Sequence, residues 1–339
     1  MSDAYEAAGV SFESGEAVID RIAGAVKSTH DDRVVAGLGS FGGVFDLASL
    51  AGIDDPLLVA STDGVGTKTK LSAAMDRWEG AGADIVNHGI NDVLVQGARP
   101  LFFLDTVAAE HLDPLVVGRI VDGMASACRE AGCVLLGGET AEMPGVFTEG
   151  AVDIAGTMIG AVARDQLLPR AGIGPGNVLV GIASSGLHTN GYSLARRVAQ
   201  NHSLDDPLPG GDGTSIGEAL CAVHRSYLPV LDRLLVDDLA LALAHVTGGG
   251  LVDNLPRVLP AGVGARIDVA SWPQPPLFEW LISEADLGVE EAHRIFNCGI
   301  GMVVVVEADR VIDVQNAIDE TTWVIGETVD DPGSGVALA

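Results

Sequence analysis

The sequence predicts a two-domain α/β protein on three observations. Its 339 residues exceed one average core, at roughly one domain per 150 residues. Short apolar runs of strand character alternate with segments of helical period. The order strand, small-residue loop, helix occurs in both halves and again near residues 241–251.

Taken in order, residues 57–62 read as a buried strand that runs into Asp63-Gly64-Val65-Gly66-Thr67-Lys68. Over residues 81–97, Val86, Ile90, Val93 and Leu94 share one helical face while Asp84, His88, Asn91 and Asp92 share the other, which places an Asn-Asp pair on an exposed side. Pro100 starts a strand over 101–107 that ends around Asp105. Pro114 opens a helix to Ala131, since proline suits the first helical position. Residues 133–136 form a short strand ended by Gly137-Gly138-Glu139-Thr140, and residues 152–163 form a long alternating one. The Pro/Gly-rich stretch 169–176 marks a boundary between domains 1–168 and 169–339. Beyond it come a strand over 178–183, a loop over 184–191 in which Asn190 could cap a helix through Gln200, and an exposed loop over 201–216 with no chemistry of its own. A strand over 241–246, Thr247-Gly248-Gly249-Gly250 and a helix from Leu251 complete the pattern.

Composition narrows the function. Hydrophobic residues at 47% with a mean hydropathy of +0.33 exclude disorder, yet no apolar run reaches the roughly 18 residues of a membrane helix. Met1-Ser2-Asp3-Ala4-Tyr5-Glu6 has neither the basic flank nor the apolar stretch of a signal peptide, so a cytoplasmic location is expected. Cys128, Cys133, Cys221 and Cys298 show no metal-finger or C-x-x-C spacing and read as reduced, buried thiols. The net charge of −28, from 47 acids against 19 bases, argues against nucleic acid as a partner. A nucleotide needs only local positive charge and remains compatible. Lys27, Lys68 and Lys70 are the only lysines in the chain. That scarcity with spread acidity resembles proteins of salt-rich cytoplasm, where screening removes the self-repulsion.

The chemistry sits in loops. In residues 63–68 two glycines allow backbone amides to approach phosphate oxygens, Asp63 offers a ligand for a divalent cation and Lys68 a compensating charge; an ordinary chain reversal has the same composition. Asp92 and Glu139 end other elements and could join Asp63 around Mg²⁺, or be a solvated face residue and a helix-capping acid respectively. His188, in a glycine-flanked loop, is a candidate general acid/base or a surface histidine. The triplet Gly248-Gly249-Gly250 after His245, and the loop Gly37-Leu38-Gly39-Ser40-Phe41-Gly42-Gly43, could each present amides to an anion or simply bend the chain.

Together these strings, with Asn91-Asp92, Gln96 to Asp105, Gly137 to Gly145, Ser184 to Ser193, His245 to Gly250 and Phe296-Asn297-Cys298-Gly299, closely resemble aminoimidazole ribonucleotide synthetase, also called phosphoribosylformylglycinamidine cyclo-ligase. The resemblance spans about Tyr5 to about Val329. It implies an N-terminal sheet domain forming the core of a homodimer, a C-terminal α/β domain, and ATP-dependent ring closure in purine synthesis with ATP and Mg²⁺. By the same resemblance Asp63 and Asp92, with Glu139, belong to the metal and phosphate pole. Lys27, Gly37, Gly39, Ser40, Phe41, Gly42, Gly43, Gly64, Gly66, Thr67 and Lys68 would contact ATP. His188, Asn190, Thr247, Gly248, Gly249 and Gly250 would face formylglycinamidine ribonucleotide. Selenophosphate synthetase and thiamine monophosphate kinase resemble the same architecture, but this chain has His245 where the former places an acid, and Thr62-Asp63-Gly64-Val65 where the latter has a Gly-Asp-Asp-Ala type of string. Two departures from the resembled pattern stand out: Arg99 replaces a common acid before Pro100, and Ala222-Val223-His224-Arg225 replaces a common Ala-Pro-Thr-Arg.

Overall fold

A computed structural model describes residues 12–331 and 333–339; Tyr5, where the resemblance begins, lies outside them. The chain divides into two compact units, one comprising the segment up to Val93 with Ala98–Asp165, the other Leu94–Gly97 with Gln166–Ala339.

In the first unit, helix α1 (Phe12–Lys27) precedes a small hairpin of β1 (Val34–Ala36) and β2 (Val44–Phe45) whose connection is the loop 37–43. A four-stranded sheet follows, in the order β3 (Pro56–Gly64), β6 (Val152–Ala163), β4 (Arg99–Ala109), β5 (Val134–Glu142). Its pairs are antiparallel except β4 with β5. The short helix α2 (Thr69–Ala74) and the long helices α3 (Trp78–Leu94) and α4 (Pro114–Ala131) complete the unit. Alternation is plain in β3 to β6: Phe103, Val107, Ile154 and Met158 are buried, while Leu58 on β3 and Leu104 on β4 face outward and are exposed. Helices α3 and α4 cross closely because a Cβ at Gly82 would run into the Ile120 carbonyl and one at Gly123 into that of Glu79.

Three sequence expectations are corrected here. The polar face of α3 is not exposed: Asp84, His88 and Asn91 are buried and Asp92 half-buried, because tertiary partners replace the water these groups would otherwise need. Strand β4 does not end at Asp105 but runs to Ala109. Gly137 to Glu142 do not terminate β5 but continue it. Gly138 sits opposite Asp105, and a Cβ there would strike its carboxylate, so the glycines are strand residues that permit a close approach.

The second unit is a six-stranded sheet in the order β12 (Val336–Leu338), β9 (Val263–Ile267), β11 (Thr322–Asp330), β7 (Val178–Ala183), β10 (Ile300–Val306), β8 (Ala242–His245). All seven residues of β10 are buried. Its Met302, Val304 and Val306 join one apolar cluster with Tyr227, Leu231 and Leu234 from the α7 region (Leu228–Val236). Val303 and Val305 join another with Leu251 and Leu255. Both faces are covered, which is why these strands read as continuous apolar runs. Helices α5 (Tyr192–Ala199), α6 (Ile216–Leu220), α8 (Gly250–Asn254), α9 (Pro276–Glu284), α10 (Val289–Ile295) and α11 (Val311–Ala317) complete the unit. Asn190 does not cap α5: Gly191 occupies that position in the left-handed conformation, with no side-chain cap. Cys128, Cys133, Cys221 and Cys298 form no disulfide among the described residues and are buried.

Candidate functional site

Each unit gathers part of the sequence-derived set. In the first, Asp63 at the end of β3 and Asp92 near the end of α3 converge on His88. His88 Nε2 lies 2.9 Å from Asp63 Oδ2 and 3.6 Å from Asp92 Oδ2. Ser61 Oγ donates to Asp92 Oδ2 at 2.7 Å, and the Gly64 amide donates to Asp63 Oδ1 at 2.6 Å. Burial works against the ionised Asp63, but the hydrogen bond and charge of His88 outweigh it and hold the carboxyl below its ordinary value. Burial likewise disfavours a charged His88, and the carboxylates of Asp63, Asp92 and Asp84 reverse that and raise it. The two carboxylates, from separate elements, are the oxygen donors at this point. That oxygen donor set suits Mg²⁺, which commonly takes one or two carboxylates and completes its shell with water and phosphate oxygens. His88 was the member the sequence reading passed over; its i,i+4 spacing to Asp92 on one helix was the signal that could have found it.

Lys68 is placed differently from its expected phosphate contact. It ends the 3₁₀ turn Gly66–Lys68, and its ammonium lies 2.7 Å from Asp84 Oδ2, with side-chain exposures of 1% and 0%. The pair ties the loop behind Asp63 to α3. Gly64 is half-buried while Gly66 and Thr67 stay exposed, and Gly66 adopts φ 64°, so the loop's backbone remains accessible at those two positions.

Glu139 is not beside Asp63. The two lie on opposite edge strands of the four-stranded sheet, three strand spacings apart, or roughly 14 Å. Glu139 instead borders a cavity of about 220 Å³ lined by Asp105, Gly137, Gly138, Thr140, Leu38 and the α1 side chains Ile19, Ile22 and Val26. Burial, aided by the Glu139 carboxylate, pushes the Asp105 carboxyl up to about 7. Leu38 brings the loop 37–43 to this cavity, and exposed Lys27 follows Val26 at the end of α1. Within that loop Gly39, Ser40, Phe41, Gly42 and Gly43 are exposed and Gly37 is half-buried.

In the second unit three loops meet because β7 and β8 end on the edge of the sheet where antiparallel β10 begins. Asn297 binds two of them: it accepts from Ser184 Oγ and the Gly299 amide, both at 2.9 Å, and donates to the Gly186 carbonyl at 2.8 Å. Asn254 organises the third by donating to the Gly248 carbonyl at 3.0 Å and the Gly250 carbonyl at 2.8 Å, while Thr247 Oγ1 donates to its Oδ1 at 3.0 Å. Asn190 Oδ1 stands where a Cβ at Gly248 would lie 3.2 Å away, so the His188 loop and the glycine triplet are packed together. His188 itself is buried, in the left-handed region at φ 61°, a conformation that costs a non-glycine residue roughly 1–2 kcal/mol. Its ring stacks on His224 at 4.0 Å, and His224 Nε2 is 3.0 Å from His245 Nε2. From the loop 201–216, Leu208, Gly210, Gly211, Asp212 and Thr214 line a cavity of about 670 Å³ with Ser184–Gly186.

This two-unit α/β chain falls in the class of the AIR synthase related proteins. Profiles for that family's N-terminal and C-terminal domains match residues 43–162 and 174–339. Phosphoribosylformylglycinamidine cyclo-ligase of Nitratidesulfovibrio vulgaris is 45% identical over 96% of this chain and 94% of its own. That of Bifidobacterium animalis subsp. lactis is 41% identical over the full length of both. The chain belongs to the phosphoribosylformylglycinamidine cyclo-ligase family. Among solved structures, HypE of E. coli superposes with a TM-score of 0.70 at 21% identity, covering 96% of this chain and 93% of its own. Thiamine-monophosphate kinase of Stenotrophomonas maltophilia superposes at 0.69 and 21%, covering 95% of each chain. These two share the fold.

Proposed function

We propose that this chain closes the imidazole ring of aminoimidazole ribonucleotide, using ATP to activate formylglycinamidine ribonucleotide and releasing ADP and phosphate. Full-length identity to two cyclo-ligases carries the reading. An amide oxygen is a poor leaving group. Transfer of the γ-phosphoryl group to the formyl oxygen lets that oxygen depart as phosphate when the substrate's own nitrogen attacks the formyl carbon. The protein's task is alignment and charge neutralisation.

Asp63 and Asp92 would hold Mg²⁺, which when bound neutralises triphosphate charge. The amides of Gly66 and Thr67 would approach phosphate oxygens, with Gly64, Lys27 and residues 37–43 as further nucleotide contacts. Glu139, beside Asp105, would serve the same nucleotide at a distance from the pair. Lys68 acts here as a positioning residue, because its ammonium is committed to Asp84. His188, Asn190 and Thr247 to Gly250 would face the substrate. A homodimer through the face of the four-stranded sheet that carries the exposed Leu58 and Leu104 fits this reading. Among the described residues no helix is long and apolar enough to cross a membrane.

The test incubates the protein with ATP, Mg²⁺ and formylglycinamidine ribonucleotide in concentrated KCl, following ADP and aminoimidazole together. Equal amounts of both are expected, and ADP without the aminoimidazole would defeat the reading. Asp63→Asn should lower turnover on the order of a thousandfold with its circular dichroism unchanged; an active variant would remove the metal assignment.

A further inference from the structure

Three of the chain's eight histidines meet in the second unit, and nothing in the proposed reaction requires all three. We propose that His188, His224 and His245 form a binding site for a divalent first-row transition ion, best matched by Zn²⁺. Each imidazole offers a nitrogen within 4.8 Å of the other two, and all three residues are buried. Imidazole selects Zn²⁺, Co²⁺, Ni²⁺ or Cu²⁺ over Mg²⁺, which prefers the carboxylate oxygens of the first unit.

The geometry is near that of a three-histidine site. Two nitrogens about 2.1 Å from one tetrahedral ion stand about 3.4 Å apart, and His224 Nε2 and His245 Nε2 are 3.0 Å apart. His188 Nε2 already presents its lone pair, accepting from the Ser185 amide at 3.2 Å. Its ring, 10° from parallel to that of His224, has to tilt to aim at the same point. That torsion is soft, and the exchange surrenders one long hydrogen bond for a metal bond. Thr189 Oγ1 lies 3.4 Å from His224 Nδ1, the outer hydrogen bond that fixes a ligating ring's orientation. The 670 Å³ cavity reaches Ser184–Gly186 and Ala222, on the loops that carry His188 and His224, and offers the approach. His224 stands in the Ala222-Val223-His224-Arg225 string where the resembled family commonly has threonine, so His224→Thr is the natural variant.

The probe is Co²⁺ titrated into the full chain, read by visible absorption and metal analysis, independently of turnover. The expected result is one ion per chain with the intense bands of low-coordinate, nitrogen-ligated Co²⁺, displaced by Zn²⁺. His224→Thr and His224→Gln should lose those bands while keeping their circular dichroism, and Thr189→Val should weaken binding about 10–100-fold. Only the faint absorption of octahedral Co²⁺ in the unmodified chain would overturn the proposal without recourse to any variant. So would a folded His224 variant that keeps the bands.

Discussion

The four-stranded sheet of the first unit leaves the apolar side chains of Leu58, 60% exposed, and Leu104 facing outward, whereas the six-stranded sheet of the second is covered on both faces and buries β10 completely. Their polar sites differ in the same sense. Asp63 and Asp92 keep 47% and 26% of their side chains exposed around His88, while His188, His224 and His245 are enclosed. A half-open carboxylate pair retains the water access that Mg²⁺ and phosphates need. An enclosed imidazole cluster is held by packing and by organisers such as Asn297 and Asn254. The first unit places charge at its surface while anchoring the loop from below through the buried Lys68–Asp84 pair.

Breaking that anchor should give the largest change in stability. Lys68→Met leaves Asp84 buried without its partner and should cost about 3–5 kcal/mol in urea unfolding; Lys68→Met with Asp84→Leu should recover most of it. An unchanged midpoint in the single variant would mean that the pair does not hold the loop.

A pH effect of somewhat smaller size belongs to Asp105. Unfolded, its carboxyl ionises near 3.8; folded, it keeps its proton to about 7. Between those values the folded state binds the extra proton, so stability should fall as pH rises through that window and level off above it, by on the order of 4 kcal/mol. Asp105→Asn should flatten that slope. A variant as pH-dependent as the parent would place the titration elsewhere.

The smallest effect sharpens the contrast in surface charge. With a net charge of −28, raising KCl from about 0.1 M to about 1 M shortens the screening length from about 10 Å to about 3 Å and should raise the unfolding midpoint. Equal midpoints at both salts would defeat the salt-adapted reading.

Much of the fold was legible because its signals are local. Pro114 opens α4, with Asp113 accepting from the Leu115 amide. The alternation over 152–163 matches β6 to the residue, and 178–183 matches β7. The errors fell where a distant partner overrides local chemistry. Glycines 137 and 138 read as a strand end, yet they continue β5 through pairing with β4, and the missing Cβ at Gly138 leaves room for the Asp105 carboxylate. Asp84 and His88 read as a wet helix face, yet Lys68 and Asp63 satisfy them indoors.

By itself the sequence determined the alternation of strands and helices, the acidic surface, and which loops carry acids, glycines and histidines, since each follows from neighbours a few residues away. Only the tertiary structure decided that Lys68 turns inward, that Glu139 stands across the sheet from Asp63, and that His224 joins His188 and His245. Those outcomes depend on strand order and register, which bring together residues that no local pattern links.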